Sequence, residues 1–180
     1  MEVAFMTTKI FAILAALCMM LPARCAEAAS LGMSVPVFIA HMGMAFDRVK
    51  WGFSPERIKE SVVRTPDGNY AAEYSPEIFL YLYVEPGDEN LNYIALTFSV
   101  DTEASLKSAD GESQYESLCR QLVFALEEGA TNDTASELLT KLGLFGPVLD
   151  GVQRAERSGK FTYMTRYCES NIMLLIVPAL

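Results

Sequence analysis

Two neighbouring segments with strict alternation of side chains constrain the fold of this chain more than any other feature. Residues 78–85 and 91–100 each alternate aliphatic side chains with a second set that is mostly aromatic or polar, and residues 86–90, Pro-Gly-Asp-Glu-Asn, connect them. A period of two places the two sets on opposite faces of a strand. The segments therefore predict an antiparallel hairpin in which one face is core and the other is rich in tyrosine.

The tyrosine-rich face is a candidate contact surface, and its residues are Phe79, Tyr81, Tyr83 and Tyr93. Aromatic side chains with a polar tip are common where a protein binds another protein or a ligand. Ordinary pairing between neighbouring strands produces the same pattern on a half-exposed sheet. Both interpretations stay open at this point.

Helical spacing of apolar residues predicts three helices. The first opens with the Ser-Val-Pro at residues 34–36 and ends near Val49. The second spans about 17 residues after Asp110 and Gly111 and ends at Gly129. A capping box, Thr134-Ala135-Ser136-Glu137, begins the third helix, which ends at Gly143.

Further strands are predicted on both sides of the helix pair. The sequence Thr-Pro-Asp-Gly-Asn at residues 65–69 is a turn between residues 61–64 and 70–74, because proline fixes φ and glycine allows a positive φ. Residues 160–168 and 172–177 predict a closing hairpin, whose second strand is almost continuously apolar and suited to the interior of a sheet. Ser-Pro-Glu at residues 54–56 suggests one more helical turn.

Helices and hairpins that occupy separate parts of the sequence predict an α+β fold. We expect an antiparallel sheet of about five to six strands, with the N-terminal helix and the central helix pair packed on one face. No parallel βαβ unit, and hence no phosphate site of that kind, is expected.

Residues 1–28 have the features of a signal peptide. Lys9 precedes an apolar run at residues 10–21, and the Ala-Glu-Ala at residues 26–28 has small residues where signal peptidase cleaves. As a helix the run is ~18 Å long, against ~30 Å of bilayer hydrocarbon, so no stable membrane span is expected after processing. The sequence therefore predicts cleavage after this tripeptide, a single domain at residues 29–180, and a periplasmic or secreted location.

Two questions about this segment stay open. Translation can begin at Met1 or at Met6, since Met6 precedes a more typical basic start. Cys18 and Cys25 lie where a lipid could be attached, although Arg24 is a poor neighbour for such a site. Loss of both cysteines with the signal peptide is the favoured interpretation.

Cys119 and Cys168 remain in the processed chain. An even number of cysteines in an oxidising compartment predicts a disulfide, and closing a loop of about 50 residues would stabilise the fold by roughly 4 kcal/mol. Two separate buried thiols are the alternative. The absence of a Cys-x-x-Cys sequence argues against a redox enzyme.

Several function classes find no support in the composition or motifs. The net charge of -9 disfavours binding to nucleic acid. The single histidine, His41, lies in an apolar helix, which favours a structural role over catalysis. The acidic residues 101–112 lack the spacing of a calcium loop, and no glycine-rich nucleotide sequence occurs. The sequence predicts no catalytic residue, no cofactor and no metal site, so an enzyme is less expected than a binding protein.

The layout of signal, N-terminal helix, hairpin, helix pair and closing hairpin resembles a group of small exported bacterial proteins of unknown function. The resemblance includes the end of the third helix, Leu139-Thr140-Lys141-Leu142-Gly143-Leu144, and it implies no active site. The element order and acidic charge are also similar in architecture to type III secretion chaperones, which are cytosolic dimers that bind extended segments of effectors.

Together these features predict an exported, non-enzymatic binding or accessory protein whose ligand is a protein partner or a second copy of the chain. Two alternatives remain. One is a small hydrolase that uses carboxylates, and the other is a chaperone-like module that binds extended segments.

Overall fold

The computed structural model describes residues 30–84, 90–99, 113–144, 152–168 and 171–179, apart from the side chain of Cys168. The predicted signal peptide, most of the predicted turn at residues 86–90 and the acidic residues 101–112 lie outside the described residues. None of the helices within the described ranges is long and apolar enough to cross a membrane.

The described helices and strands follow the predicted order closely. The α-helices are α1 (Val35–Ala45), α2 (Pro55–Ser61), α3 (Gln114–Leu126) and α4 (Asn132–Lys141), and a 3-10 turn, Phe46–Arg48, extends α1. The strands are β1 (Val63–Arg64), β2 (Tyr70–Ser75), β3 (Ile78–Val84), β4 (Leu91–Ser99), β5 (Gln153–Ser158), β6 (Phe161–Cys168) and β7 (Asn171–Pro178).

All seven strands form one antiparallel sheet in the order β1-β2-β3-β4-β7-β6-β5. The pairing of β4 with β7 places the last strand in the middle of the sheet. A central strand is buried on both faces, and this explains the almost continuous apolar sequence of β7. The predicted α+β fold, the antiparallel sheet and the helices on one face are confirmed.

The strand that the sequence did not predict is β5, which forms an edge of the sheet beyond β6. Its sequence is Gln-Arg-Ala-Glu-Arg-Ser, and most of its residues are exposed. An exposed edge strand with charged side chains has no apolar alternation for a sequence pattern to detect. With β5 and the two-residue β1, the sheet has more strands than the five to six expected.

The predicted starts of the two central helices are wrong by a few residues. Ser113 caps α3 and forms a capping box with Glu116, so the helix begins at Gln114 rather than directly after residues 110–111. Thr131 caps α4 in a capping box with Thr134. Thr134 is therefore the third residue of the helix and not its cap, while Glu137 forms an ion pair with Lys141 at 2.7 Å.

The main core lies between the sheet and the helices, and the buried apolar residues of all four helices belong to it. The strands contribute Ala72, Tyr74, Ile78, Leu80, Leu82, Leu91, Ile94, Leu96, Phe98, Phe161, Tyr163, Tyr167, Ile172, Leu174 and Ile176. The described members of the aliphatic set predicted to face the core on β3 and β4 do so. The second set therefore lies on the other face of the sheet.

Hydroxyl groups on the core face of β6 complete the end of α4. Thr165 Oγ1 donates to the Leu142 carbonyl at 2.7 Å, and the Tyr167 hydroxyl donates to the Gly143 carbonyl at 2.7 Å. The last carbonyls of a helix have no partner within the helix, so these bonds supply one. Gly143 has φ 76°, a left-handed conformation that glycine adopts without strain.

Thr165→Val is expected to lower the free energy of unfolding by about 1–2 kcal/mol, because a buried carbonyl at the end of α4 loses its donor without a change in side-chain volume. Thr162→Val on the same strand is the control, since Thr162 is half-buried on the other face and should change stability by less than about 0.5 kcal/mol. Urea denaturation of both variants provides the measurement. Equal effects would show that the bond to α4 contributes nothing.

Candidate functional site

The sheet face opposite the helices carries a second, smaller apolar cluster, which we call the aromatic face. Its members are Ala71, Tyr81, Tyr83, Tyr93, Ala95, Met164, Met173, Leu175 and Val177. No helix residue in the described ranges belongs to it. Three of the four residues predicted for a contact surface are members, and the fourth, Phe79, lies on the same face of β3 opposite Thr97.

One continuous apolar row crosses this face. The strand registers align one residue from each of the seven strands, in the order Val63, Ala71, Tyr81, Ala95, Leu175, Met164 and Ala155. At ~4.8 Å between neighbouring strands the row is ~29 Å long. Charged side chains of this face, such as Glu73 and Arg166, lie in the next row along the strands. The row itself contains no charged side chain.

Two tyrosines form a flat aromatic platform beside the row. Tyr83 and Tyr93 are directly opposite each other on β3 and β4, and their rings stack with centroids 4.5 Å apart and planes 7° from parallel. Both side chains are half-buried. Aromatic rings with a polar tip suit contact with an apolar or aromatic partner group.

Tyr81 differs from Tyr83 and Tyr93 because it is buried. Its side chain is only 3% exposed, and its hydroxyl donates to Asp67 Oδ2 at 3.0 Å. Asp67 lies in the predicted turn at residues 65–69, which the structure confirms with a bond of 3.0 Å from the Gly68 amide to the Thr65 carbonyl. Tyr81 therefore fastens this turn to the sheet rather than offering a free hydroxyl.

The turn surrounds the Asp67 carboxylate with donors. Thr65 Oγ1 donates to one carboxylate oxygen, and Asn69 Nδ2 donates to the other at 2.8 Å. Partial burial raises the pKa of Asp67, but the bonds from Thr65, Asn69 and Tyr81 outweigh it and hold the pKa below the ordinary value of 3.8. Burial first, and then the bond to Asp67 and its charge, raise the pKa of Tyr81.

The titration of Asp67 tests this network. Because the folded pKa is lower than the unfolded one, the network stabilises the fold above pH 3.8 and loses this contribution as the pH falls through the folded pKa. Asp67 is exposed, so screening leaves roughly a few tenths of a kcal/mol. We expect the NMR titration midpoint of its carboxyl carbon to rise in Tyr81→Phe. An unchanged midpoint would mean that the tyrosine does not bind the carboxylate.

The exposure of the residues along the row changes systematically from its ends to its middle. Val63 at one end is 44% exposed, whereas Ala95 and Leu175 in the middle are both 0% exposed. Met164 is half-buried and Ala155, at the other end, is exposed. The centre of this sheet face, to which no described helix contributes, is thus as inaccessible as the main core.

The sequence alone did not predict that residues of β6 and β7 belong to this face. Met164, Met173, Leu175 and Val177 are its members from these strands. The signal that could have found them is the run of apolar residues in β7, since a strand that is apolar on both faces is covered on both. Methionine is adaptable in shape and common at surfaces that bind varied apolar partners.

The other two sequence candidates have surroundings typical of structural residues. His41 Nδ1 lies 3.0 Å from the Ala125 carbonyl oxygen near the end of α3, so it donates to an unpaired helix carbonyl. Cys119 lies within the core, and burial raises the pKa of its thiol. The side chain of Cys168 lies outside the described residues, and the predicted disulfide stays a prediction.

Carboxylates and metal ligands do not converge in the described part of the chain. No Asp or Glu side chain there is buried. Nor do three or more His, Cys, Asp or Glu side chains of these residues lie close enough together to hold a metal ion. The aromatic face is the feature of this part of the molecule that is best suited to binding.

Comparisons of the chain with protein-family models, with curated proteins and with solved structures found no match.

Proposed function

We propose that this chain is an exported, non-enzymatic binding protein and that the aromatic face is its contact surface. The observation that carries the proposal is the uncharged apolar row that crosses all seven strands on the face without described helices. Around the buried centre of this row, Tyr83, Tyr93, Met164 and Val177 keep part of their surface accessible, and apolar side chains that are accessible together mark an interaction site. The stacked pair Tyr83 and Tyr93 supplies the aromatic groups that dominate contact energies.

The two alternatives have less support. A carboxylate hydrolase requires two acidic side chains held in a cleft, with at least one in surroundings that raise its pKa. The nearest candidate, Asp67, is exposed and has a lowered pKa. A chaperone that binds extended segments would use an apolar surface as well, so it differs from the main proposal in the shape of its ligand and in its compartment.

The proposal is tested by removing the platform while leaving Tyr81 in place. Tyr83→Ser combined with Tyr93→Ser should abolish retention of envelope proteins that the immobilised wild type retains, since two aromatic contacts are lost. Tyr70→Ser is the matched control, because Tyr70 is a half-buried tyrosine on the opposite face of the same sheet. Retention that is lost equally in the control, or kept in the double variant, would contradict the proposal.

Export is expected to leave a mature chain that begins at Ala29. The Ala-Glu-Ala before it provides the cleavage sequence, and the apolar run is too short to remain as an anchor. Mass spectrometry of the protein recovered from the envelope fraction gives its N-terminus directly. An acylated Cys25 would instead identify a lipid-anchored protein, and an intact N-terminus in the cytoplasm would contradict export.

A further inference from the structure

The outer side of α1 is apolar, although one side of this helix is in solvent. Residues 35–46 contain no Asp, Glu, Lys or Arg. The residues of α1 that pack into the core are Val35, Phe38, Met42 and Ala45. On the opposite side Val37 is 43% exposed, Met44 is 69% exposed, and Ala40 between them is exposed as well. A helix at the surface normally has charged or polar residues on its outer side.

The exposed residues follow one line along the helix, which we call the α1 stripe. Its members, Val37, Ala40, Met44 and Asp47, are separated by three, four and three residues. Asp47 is exposed in the 3-10 turn that extends α1. Residues at this spacing lie on one side of a helix, and two helices pack together along such a line. The α1 stripe is ~15 Å long.

The two ends of the α1 stripe differ in charge. Asp47 makes one end negative, because the neighbouring Arg48 is turned toward α3, where its guanidinium lies 3.8 Å from the centre of the Phe124 ring and donates to the Ala130 carbonyl. At the other end, the first turn of α1 contains no acidic residue, and the Ser34 side chain makes no capping bond. A helix N-terminus carries a partial positive charge that favours a nearby carboxylate.

A second copy of the chain matches the α1 stripe in shape and in charge. In an antiparallel pair of α1 helices centred between Ala40 and Met44, each Met44 would pack beside Ala40 of the other copy, a large side chain against a small one. Each Asp47 would then lie beside the first turn of the other helix, near Val37. Both contacts occur twice, as they must in an interface with two-fold symmetry.

A membrane surface matches the α1 stripe less well. Helices that bind anionic lipid have Lys or Arg beside their apolar residues. The stripe ends in Asp47 instead, and the whole chain has a net charge of -9. Both features favour a second copy over a lipid surface.

We propose that two copies of this chain associate through the α1 stripe as an antiparallel helix pair. The stripe is smaller than the surface that permanent dimers bury, so we expect a weak dimer with a Kd of ~10–100 µM. Because α1 packs on the sheet face opposite the aromatic face, the dimer leaves both aromatic faces available to partners. The inference therefore does not depend on the proposed function.

Sedimentation velocity of the purified protein between ~5 and ~500 µM tests the association over the expected range of Kd. The wild type should change from monomer to dimer within this range. Met44→Lys should raise the Kd about tenfold or more, because it places two like charges close together in the pair. Asp47→Asn should raise the Kd several-fold, because each helix N-terminus loses a carboxylate.

Val63→Lys is the matched control, since Val63 is 44% exposed but lies on β1, on the other face of the sheet. This variant, and Tyr83→Ser combined with Tyr93→Ser, should dimerise like the wild type. A wild type that stays monomeric at the highest concentration, or a dimer that Met44→Lys leaves intact or Val63→Lys weakens equally, would overturn the inference.

Two further outcomes would also contradict it. An unchanged Kd in Asp47→Asn would exclude the antiparallel pairing. Monomeric wild type that sediments with vesicles of phosphatidylethanolamine and phosphatidylglycerol, and no longer does so in Met44→Lys, would assign the α1 stripe to lipid. None of these measurements involves a partner of the aromatic face, so the retention test with Tyr83 and Tyr93 remains a separate judgement on the proposed function.

Discussion

Replacing Gln121 by methionine is expected to lower the free energy of unfolding by about 3–5 kcal/mol, because one buried donor and two buried acceptors lose their partner together. The side chain is fully buried on α3. Its Oε1 accepts from the Phe53 amide at 2.9 Å, and its Nε2 donates to the carbonyls of Met42 and Phe53, both at 2.8 Å. Methionine fills the same volume and makes none of these bonds.

The three bonds matter because they join parts of the chain that have no backbone pairing with one another. Met42 belongs to the last turn of α1, where carbonyls have no helical partner. Phe53 precedes α2 and is fully buried. Gly52 approaches so closely that a Cβ there would be 2.7 Å from Gln121 Oε1. A single amide therefore holds α1, the segment before α2 and α3 together.

Gln114→Met is the matched control for this prediction, since Gln114 is exposed at the start of the same helix. Its stability should change by less than about 0.5 kcal/mol. Chemical denaturation monitored by circular dichroism compares the two variants. If Gln121→Met were as stable as the control, the buried amide would not be what joins these helices.

Replacing Ala95 by phenylalanine in the full chain is expected to destabilise it by about 1–3 kcal/mol through overpacking. Ala95 is fully buried at the centre of the apolar row, between Tyr81 on β3 and Leu175 on β7. On an uncovered face the new ring would stand in solvent above its neighbours and would favour the strand, because aromatic residues have high β-propensity. The sign of the change thus reports whether the centre of the row is tightly packed.

Ala155→Phe provides the comparison, because Ala155 belongs to the same row but lies exposed on the edge strand. We expect a change of less than about 0.5 kcal/mol at this position. Thermal and urea denaturation of both full-length variants supply the two values. A neutral or stabilising effect at Ala95 would contradict tight packing at the centre of the row.

The part of the fold that local patterns determine could be predicted from the sequence. Strict alternation in β3 and β4 identified both the core side and the tyrosine side, because a period of two leaves no other arrangement on a half-buried strand. The turn at residues 65–69 followed from its proline and glycine. In β5 the same reasoning failed, since an exposed charged edge has no alternation.

Choices between equivalent local signals could not be predicted. Thr131 and Thr134 both precede a residue that can complete a capping box three positions later, and the chain uses the first. Glu137, the residue expected to complete the second box, binds Lys141 one turn further along α4 instead. Which of the two threonines caps the helix depends on where the helix packs against the core, and a local sequence pattern does not contain that.

The sequence predicted the tyrosines of the candidate site, but it did not predict the residues that surround them. The partner of the Tyr81 hydroxyl, Asp67, is brought near only when β2 and β3 pair. The methionines and Leu175 join the site because β7 inserts beside β4, at the far end of the sequence. Contacts of this range depend on topology, and no spacing within one segment encodes them.

The central claim is that the aromatic face is the surface through which this protein binds a partner. Hydroxyl-radical footprinting tests it by comparing side-chain oxidation in the protein alone and in the protein bound to an envelope protein that the immobilised wild type retains. We predict that oxidation of Tyr83, Tyr93 and Met164 decreases several-fold in the bound protein, while oxidation of Met44, which is 69% exposed on α1, stays the same. Equal oxidation of the three face residues in the free and the bound protein would contradict the claim.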